Sequence, residues 1–502
     1  MNRTVRISLS ILSGLLIVLS MPNYNQWYLA WIALVPLFVA FEGLEYKERK
    51  WLALITTLIW SIGVHNWYPV YMGMWLGLFL ILLVAFLFAE ILSLGKSLED
   101  RVPLRYKIFM IPIIWTAFEW LRFVAPITKD WWFVLVSKSQ WNNPVTLQPL
   151  ALGGFALLTF LILLVNSSFA LLVSHYLKTR KLQPPYLIGL FLPIVMIGIS
   201  FFNQASSNEV VKVAAISDMI SQNEEITKLA SSEKAGDGYV ADSEEMMQAI
   251  FEVNETLTRE VVKEHKPQFV VWSENEFTNS DHPAMLQQAK DLAKELNIYL
   301  VVDFVWNSDT GMHDTAMLIG PDGEEVGRRA KLQMTSGELD YGFTAGPETF
   351  EIFETKYGNV GLAICWDKHR NDIIRKLVRN GADLLLIPDD NDFEGNERFP
   401  LYASTDSIFR AVENGTALSS ASVSGNSMVI QPSGKIAAMT TVNQQEAAVG
   451  EVMINKKSTL YTPFGDWFGI FVTALSVISL ILGFPKRSMS APKPHNTNKQ
   501  IS

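Results

Sequence analysis

Three short segments place reactive side chains where they would follow strands. Val270-Val271-Trp272-Ser273-Glu274 ends in a carboxylate, and Gly327-Arg328-Arg329-Ala330-Lys331 ends in an ammonium with Glu338 following on. Gly361-Leu362-Ala363-Ile364-Cys365-Trp366-Asp367 carries the single cysteine of the chain. Loops at the carboxyl ends of strands are the usual seat of α/β active sites. A thiol, a carboxylate and a lysine are sufficient for acyl transfer. Cysteine is a weak nucleophile until it loses its proton, at a free pKa of about 8.5. Glu274 can take that proton, and Lys331, a compact cation with rotatable donors, can stabilise the tetrahedral oxyanion. The chemistry calls for no metal and no cofactor, and one cysteine excludes both a disulfide within the chain and a multi-cysteine metal site. Plainer readings stand beside this one: a lone cysteine ending a strand is commonly a small buried hydrophobe, and a lone glutamate or lysine is commonly solvated. Spacing alone does not bring the three together.

The elements that would have to do so alternate along residues 209–457. Strands are predicted at Val210–Ile216, Phe269–Trp272, Ile298–Phe304, Thr315–Ile319, Val360–Cys365 and Leu384–Pro388. Helices are predicted at Ser243–His265, Pro283–Leu296 and Asp372–Asn380. Ser427–Gln431, followed by Pro432-Ser433-Gly434-Lys435, reads as two strands joined by a turn. Strands alternating with helices define an α/β domain, and about 250 residues are enough for one substantial core. No internal repeat is visible, and residues 487–502 read as a polar tail.

The remainder has a different physics. Of the 502 residues 49% are hydrophobic and only 18% charged, against about 25% charged in ordinary soluble domains. Residues 209–457 hold 22 Lys and Arg against 41 Asp and Glu, while the rest holds 19 against 9. Eight apolar stretches meet or approach the ~20 residues needed to cross a bilayer: 5–21, 26–43, 51–67, 73–95, 106–125, 149–174, 184–202 and 466–484. The first is not a signal peptide, because Met21-Pro22-Asn23-Tyr24 follows it in place of a small-residue cleavage site. Three parts result: seven spans over 1–208, an α/β domain over 209–457, and a last span with its tail over 458–502. Alternate loops carry the basic residues: Arg3 and Arg6; Lys47, Arg49 and Lys50; Lys96, Arg101, Arg105 and Lys107; Lys178, Arg180 and Lys181; Lys486 and Arg487. The other loops are nearly bare, with only Lys129 and Lys138. By the positive-inside rule the amino terminus is cytoplasmic and the acidic domain faces outward. Basic residues placed among apolar segments report orientation, so nucleic acid is not an expected partner.

Trp272-Ser273-Glu274, then Lys331 to Glu338, then Ile364-Cys365-Trp366-Asp367 resemble the Glu-Lys-Cys signature of the nitrilase superfamily. Leu29-Ala30-Trp31-Ile32-Ala33-Leu34-Val35-Pro36-Leu37 and Glu119-Trp120-Leu121-Arg122 resemble segments of the bacterial apolipoprotein N-acyltransferase family. So do Phe409-Arg410-Ala411-Val412-Glu413-Asn414-Gly415 and Leu460-Tyr461-Thr462-Pro463-Phe464-Gly465-Asp466-Trp467. The resemblance runs through nearly the whole chain. It implies an α-β-β-α sandwich on an eight-helix membrane domain in the bacterial inner membrane, with the catalytic domain on the periplasmic side. It also implies transfer of an acyl chain from a phospholipid, through a cysteine thioester, to the α-amino group of a diacylated lipoprotein. Glu274 would be the general base, Lys331 the oxyanion stabiliser and Cys365 the nucleophile, with Glu338 and Asp367 in support. Trp272, Trp366, Glu119 and Arg122 would line the lipid route. The family usually has Trp-Pro-Glu where Ser273 stands here, Cys-Tyr-Glu where Trp366 and Asp367 stand, and tryptophan near Asp392. The segment from Lys331 to Glu338 is one residue shorter than the family's. An alternative register puts Arg329 in the lysine position; Lys331 is preferred because arginine, with a pKa above 12, supplies no proton.

Other residues have structural readings alongside. Glu119 and Arg122 are spaced to pair with each other on a helix. His65, Trp67, Trp131 and Trp132 fit an aromatic belt at the outer interface. His369, four residues after Cys365, is a weaker candidate than Glu274 for the base of the thiol. Two competing functions remain, a membrane-tethered amidase or nitrilase releasing free acid, and a transporter or assembly factor whose outer domain only binds. Transporters commonly show repeated halves, which are not seen here.

Overall fold

The computed structural model describes residues 1–126, 134–202, 209–229, 241, 243–275, 277–391, 398–454 and 458–483. Lys129, Trp131, Trp132, Asp392, Lys486, Arg487 and the 487–502 tail lie outside the described residues.

The acidic half folds into two six-stranded sheets. The first has the order β12-β1-β2-β3-β4-β5 and the second β11-β10-β9-β8-β7-β6. These strands are β1 Val210–Ser217, β2 Phe269–Val271, β3 Tyr299–Ser308, β4 Gly311–Ile319, β5 Glu325–Ala330 and β6 Phe353–Thr355. The others are β7 Gly358–Leu362, β8 Leu384–Asp389, β9 Ala417–Ser422, β10 Met428–Ile430, β11 Ile436–Met439 and β12 Glu446–Met453. Strands β1, β2 and β3 are parallel, as are β7, β8 and β9, and each trio is followed by antiparallel strands. One topology is thus used twice, although the sequence shows no repeat.

Alternation along the strands builds the layers. In β2, Phe269 and Val271 point into a core shared by both sheets, with Val360, Leu362 and Leu386 opposite. Val270 and the following Trp272 point the other way, under the helices Glu244–His265 and Pro283–Leu296. The outer face of the second sheet is covered by the helices Asn371–Arg379 and Phe399–Asn414, whose core is continuous with that of the membrane helices. The result is the α-β-β-α sandwich that the sequence implied, lying with one helical layer on the membrane domain.

In the membrane half, Arg3–Ser20, Met74–Glu99 and Leu150–Thr179 are long and apolar enough to cross a bilayer. Helices Tyr46–Val64, Lys107–Val124, Pro184–Phe202 and Trp467–Gly483 pack with them. The stretch 26–43 differs from expectation. It is broken into a 3-10 turn over Trp27–Trp31 and a short helix over Val35–Ala40, because Pro36 restarts the chain in its first turn. Backbone groups left open in hydrocarbon cost several kcal/mol each, so irregular chain survives only when buried in protein. Here Asn166 supplies both missing partners, accepting from Leu34 N at 2.8 Å and donating to Ala30 O at 2.9 Å. The Ser13 hydroxyl accepts from Leu37 N at 2.9 Å. Arg6 donates to Ala40 O, so the short helix ends level with the start of Arg3–Ser20.

Candidate active site

The turn at Cys365 is set by backbone geometry. Strand β7 ends at Leu362, and Cys365 has φ +40°, in the left-handed region that non-glycine residues avoid. Such strain, of order 1–3 kcal/mol, persists only where the surroundings over-determine it. Asp367 supplies much of that determination. Its carboxylate accepts from Ile364 N at 3.4 Å, Leu332 N at 3.1 Å and Gln333 N at 2.8 Å, tying the cysteine turn to the residues after Lys331. Asp367 is therefore a positioning group.

Lys331 follows β5 and is 1% exposed. Its ammonium donates to Glu274 and to Glu338 and lies 3.3 Å from Asp314 Oδ2. Glu338 caps its own helix, Ser336–Tyr341: it accepts from Thr335 N at 2.6 Å through one oxygen and from Lys331 through the other. The oxygens of Glu274, Asp314 and Glu338 lie within 4.8 Å of one another, a spacing that also suits a cation, and the ammonium occupies it. Arg329 is not an alternative: it donates to Thr349 O at 2.7 Å and lies over the Phe350 ring.

Cys365 Sγ lies within 4.8 Å of carboxylate oxygens of Glu274 and Asp389. Burial first, and the Glu274 carboxylate second, push the thiol well above its ordinary value, against the pull of Lys331. Burial also raises Glu274 well above the usual carboxylate range, opposed by Lys331 and reinforced by Asp314 and Glu338. Burial opposes the charge on Lys331, but Cys365 and the three carboxylates outweigh it and hold the ammonium above the usual lysine range. The site sets a thiol beside a carboxylate of raised proton affinity and a buried ammonium. Glu274 Oε2 is buried, and Lys331 is bonded to the other oxygen, Oε1.

The structure brings Glu274, Lys331, Cys365, Glu338 and Asp367 together. It does not bring in Trp272, whose ring is packed against Phe251 and Phe277 and donates to Thr258 at 2.9 Å. Trp366 is half-buried next to the cysteine, edge-on to His369. Glu119 accepts from Trp115, Val136 N and Thr159 at 2.9 to 3.0 Å, and Arg122 donates to Val134 O, so both anchor the segment that leads to Lys138. His65 and Trp67 are buried, His65 bonded to Ser61 and Trp67 packed on Phe399, and so do not form a belt facing lipid. His369 does not pair with the thiol. Its ring is bonded to Asp406 at 2.9 Å, and burial drives it down to about 3. Asp406 in turn meets Lys138 of the membrane half at 3.1 Å.

Sequence reasoning missed Asp218, Asp314, Lys368 and Asp389. Lys368 and Asp389 form a fully buried ion pair beside the cysteine. Asp218, just past β1, accepts from Ser273 at 2.6 Å, Asn275 at 2.7 Å and Asn254 at 3.1 Å. It thereby grips both neighbours of Glu274. Removing a buried acceptor leaves its donors unsatisfied at ~1–3 kcal/mol each. Asp218→Ala is expected to lower kcat about 10- to 100-fold with KM little changed, measured as acyl transfer by protein of verified fold.

Two sheets sandwiched between helices, with carboxylate, ammonium and thiol meeting at strand ends, define a carbon-nitrogen hydrolase domain, and residues 236–458 match the family described as Carbon-nitrogen hydrolase. Residues 13–168 match the Apolipoprotein N-acyltransferase N-terminal domain. The chain belongs to the apolipoprotein N-acyltransferase family. The apolipoprotein N-acyltransferase of Geobacter metallireducens is 24% identical, with 96% of each chain covered. That of Gloeobacter violaceus is 26% identical over 94% of this chain and 92% of its own. An N-carbamoylputrescine amidase from Oryza sativa subsp. japonica is 27% identical over 36% of this chain and 67% of its own.

Proposed function

We propose that this protein is a phospholipid-dependent lipoprotein N-acyltransferase of a bacterial inner membrane, with Cys365 as nucleophile, Glu274 as general base and Lys331 as oxyanion stabiliser. The observation that carries it is the Glu274–Lys331–Cys365 cluster on a sandwich seated against the membrane helices, in a chain that resembles such acyltransferases from end to end. In the first step the thiol proton passes to Glu274 while sulfur bonds to the ester carbonyl carbon of a phospholipid. The oxyanion forms against Lys331, the carbon–oxygen ester bond breaks, and Glu274 returns the proton to the departing lysophospholipid alkoxide. In the second step the α-amine of a diacylated lipoprotein bonds to the thioester carbon. The carbon–sulfur bond breaks, and the amine proton passes by way of Glu274 to the sulfur.

The orientation reading is supported by where the sandwich sits. It contacts the chain after Ser20, after Val64 and after Val124: Asn23 donates to Arg398 O, Trp67 packs on Phe399, and Lys138 meets Asp406. This is the end poor in Lys and Arg, hence the outer one. In this reading seven crossings, the broken 26–43 segment among them, lead to residues 209–457 outside, and the eighth, within 458–502, returns the tail. Trp366, half-buried beside the thiol, is placed to meet the acyl chain, whereas Glu119 and Arg122 serve the docking of the sandwich. Intact-mass analysis of the purified protein with phospholipid vesicles, followed by a diacylated lipopeptide, tests the proposal. The expected result is an acyl adduct that is lost to the peptide. Loss to water would make the protein a hydrolase, as its amidase relatives' names suggest, and absence of an adduct would count against phospholipid as the acyl donor.

A further inference from the structure

Lys331 has three N–H donors, and three carboxylates surround it. Two of them, Glu274 and Glu338, belong to the site already described. The third, Asp314, comes from β4, where it is wholly buried. It holds Lys331 twice: its carbonyl accepts from Lys331 N at 2.9 Å, and its Oδ2 lies 3.3 Å from the ammonium. Behind it, on β3, is Asp303, also wholly buried. Asp303 pairs with Ala316 and Val305 pairs with Asp314, so the two aspartates are diagonal neighbours on one face of the sheet.

We propose that Asp314, backed by Asp303, is a positioning residue that tunes Glu274 as a base through the ammonium they share. One positive charge cannot neutralise three carboxylates in a site closed to water. Each additional negative charge makes the next one costlier, and with burial this raises Glu274 and Asp314 above the usual carboxylate range. The groups facing Asp314 are Asp303 from β3, Lys331 after β5, Glu274 after β2 and Glu338 from the Ser336–Tyr341 helix. Of these only Lys331 is positive, and it is divided among the three. Asp314 adds to the rise in Glu274 in the same sense as Glu338. Taking away the Asp314 charge therefore gives Glu274 a larger share of Lys331 and makes it a weaker base, ionised at lower pH. No bond is made or broken by Asp314 in this role.

The proposal rests on Glu274 being the base for Cys365, and its test is separable from the acyl-transfer reading. Cys365 is the only cysteine, so one iodoacetamide adduct in the intact mass of the full-length protein reports that thiol without any lipid. In Asp314→Asn, which keeps the shape and removes the charge, the rising limb of alkylation against pH is expected about one unit lower, a roughly tenfold faster rate at fixed pH on that limb. Asp303→Asn is expected to move it the same way by less, and it carries the test if Asp314→Asn does not fold. In acyl transfer Asp314→Asn should lower plateau kcat several-fold at constant KM. A limb that stays in place in the folded variants overturns the proposal, since a purely structural aspartate changes yield or amplitude without moving it. Wild-type protein that alkylates normally but takes no acyl group from phospholipid counts against the acyltransferase reading alone.

Discussion

Cys365→Ala is expected to abolish the acyl adduct and to reduce lipopeptide acylation to background, a loss of at least about 10⁴-fold. Covalent catalysis divides one hard transfer into two easier ones, and no other thiol is present to take over. Cys365→Ser should be equally inactive. In the proposed mechanism a carboxylate removes the proton with help from a nearby ammonium, and a hydroxyl holds its proton far more tightly than a thiol. Both variants should insert and unfold like the wild type, because the turn is held by the Asp367 carboxylate, which bonds backbone N–H groups and not the sulfur. An adduct of unchanged yield in Cys365→Ala would move the nucleophile elsewhere.

Lys331→Met is expected to be the most damaging substitution in the cluster after loss of the thiol. Losing an oxyanion donor lowers kcat about 10²- to 10³-fold. Here the same change also leaves Glu274, Asp314 and Glu338 facing one another in a site closed to water. Removing one partner of a buried ion pair typically costs about 3–5 kcal/mol, so the thermal midpoint should fall as well as the turnover. Lys331→Arg should rescue stability in part and activity hardly at all, because a planar fork cannot present one nitrogen to three convergent carboxylates. Single-turnover acylation and thermal unfolding of the purified variants separate the two effects. Normal acylation by Lys331→Met would remove the lysine from the chemistry.

The strands that carry the site were legible because they are short, continuous apolar runs set between polar stretches. Phe269–Trp272, Val360–Cys365 and Leu384–Pro388 fall on β2, β7 and β8, and Pro283–Leu296 agrees at both ends with the helix observed. The weaker signals failed for identifiable reasons. Strand β5 carries half-buried Glu325 and Arg328 and buried Arg329, so its polar composition hides it. The 26–43 stretch has the hydropathy of a span, but Pro36 and the side chains of Asn166 and Ser13 determine that it breaks. Trp272 was grouped with Glu274 by its place in a motif, yet the alternation along β2 turns its ring into the helix-covered core.

Residue order therefore determined the chemistry available and the division between apolar and acidic parts. These depend on local composition and on periods of two or three to four residues. Which carboxylates share Lys331, which aspartate grips the Glu274 loop, and that His369 belongs to Asp406 were decided only by the tertiary fold. Those partners come from strands and loops far apart in the chain, and nothing in their spacing records that the sheets bring them to one buried point, where a charge must find its counterion or give up its ionisation.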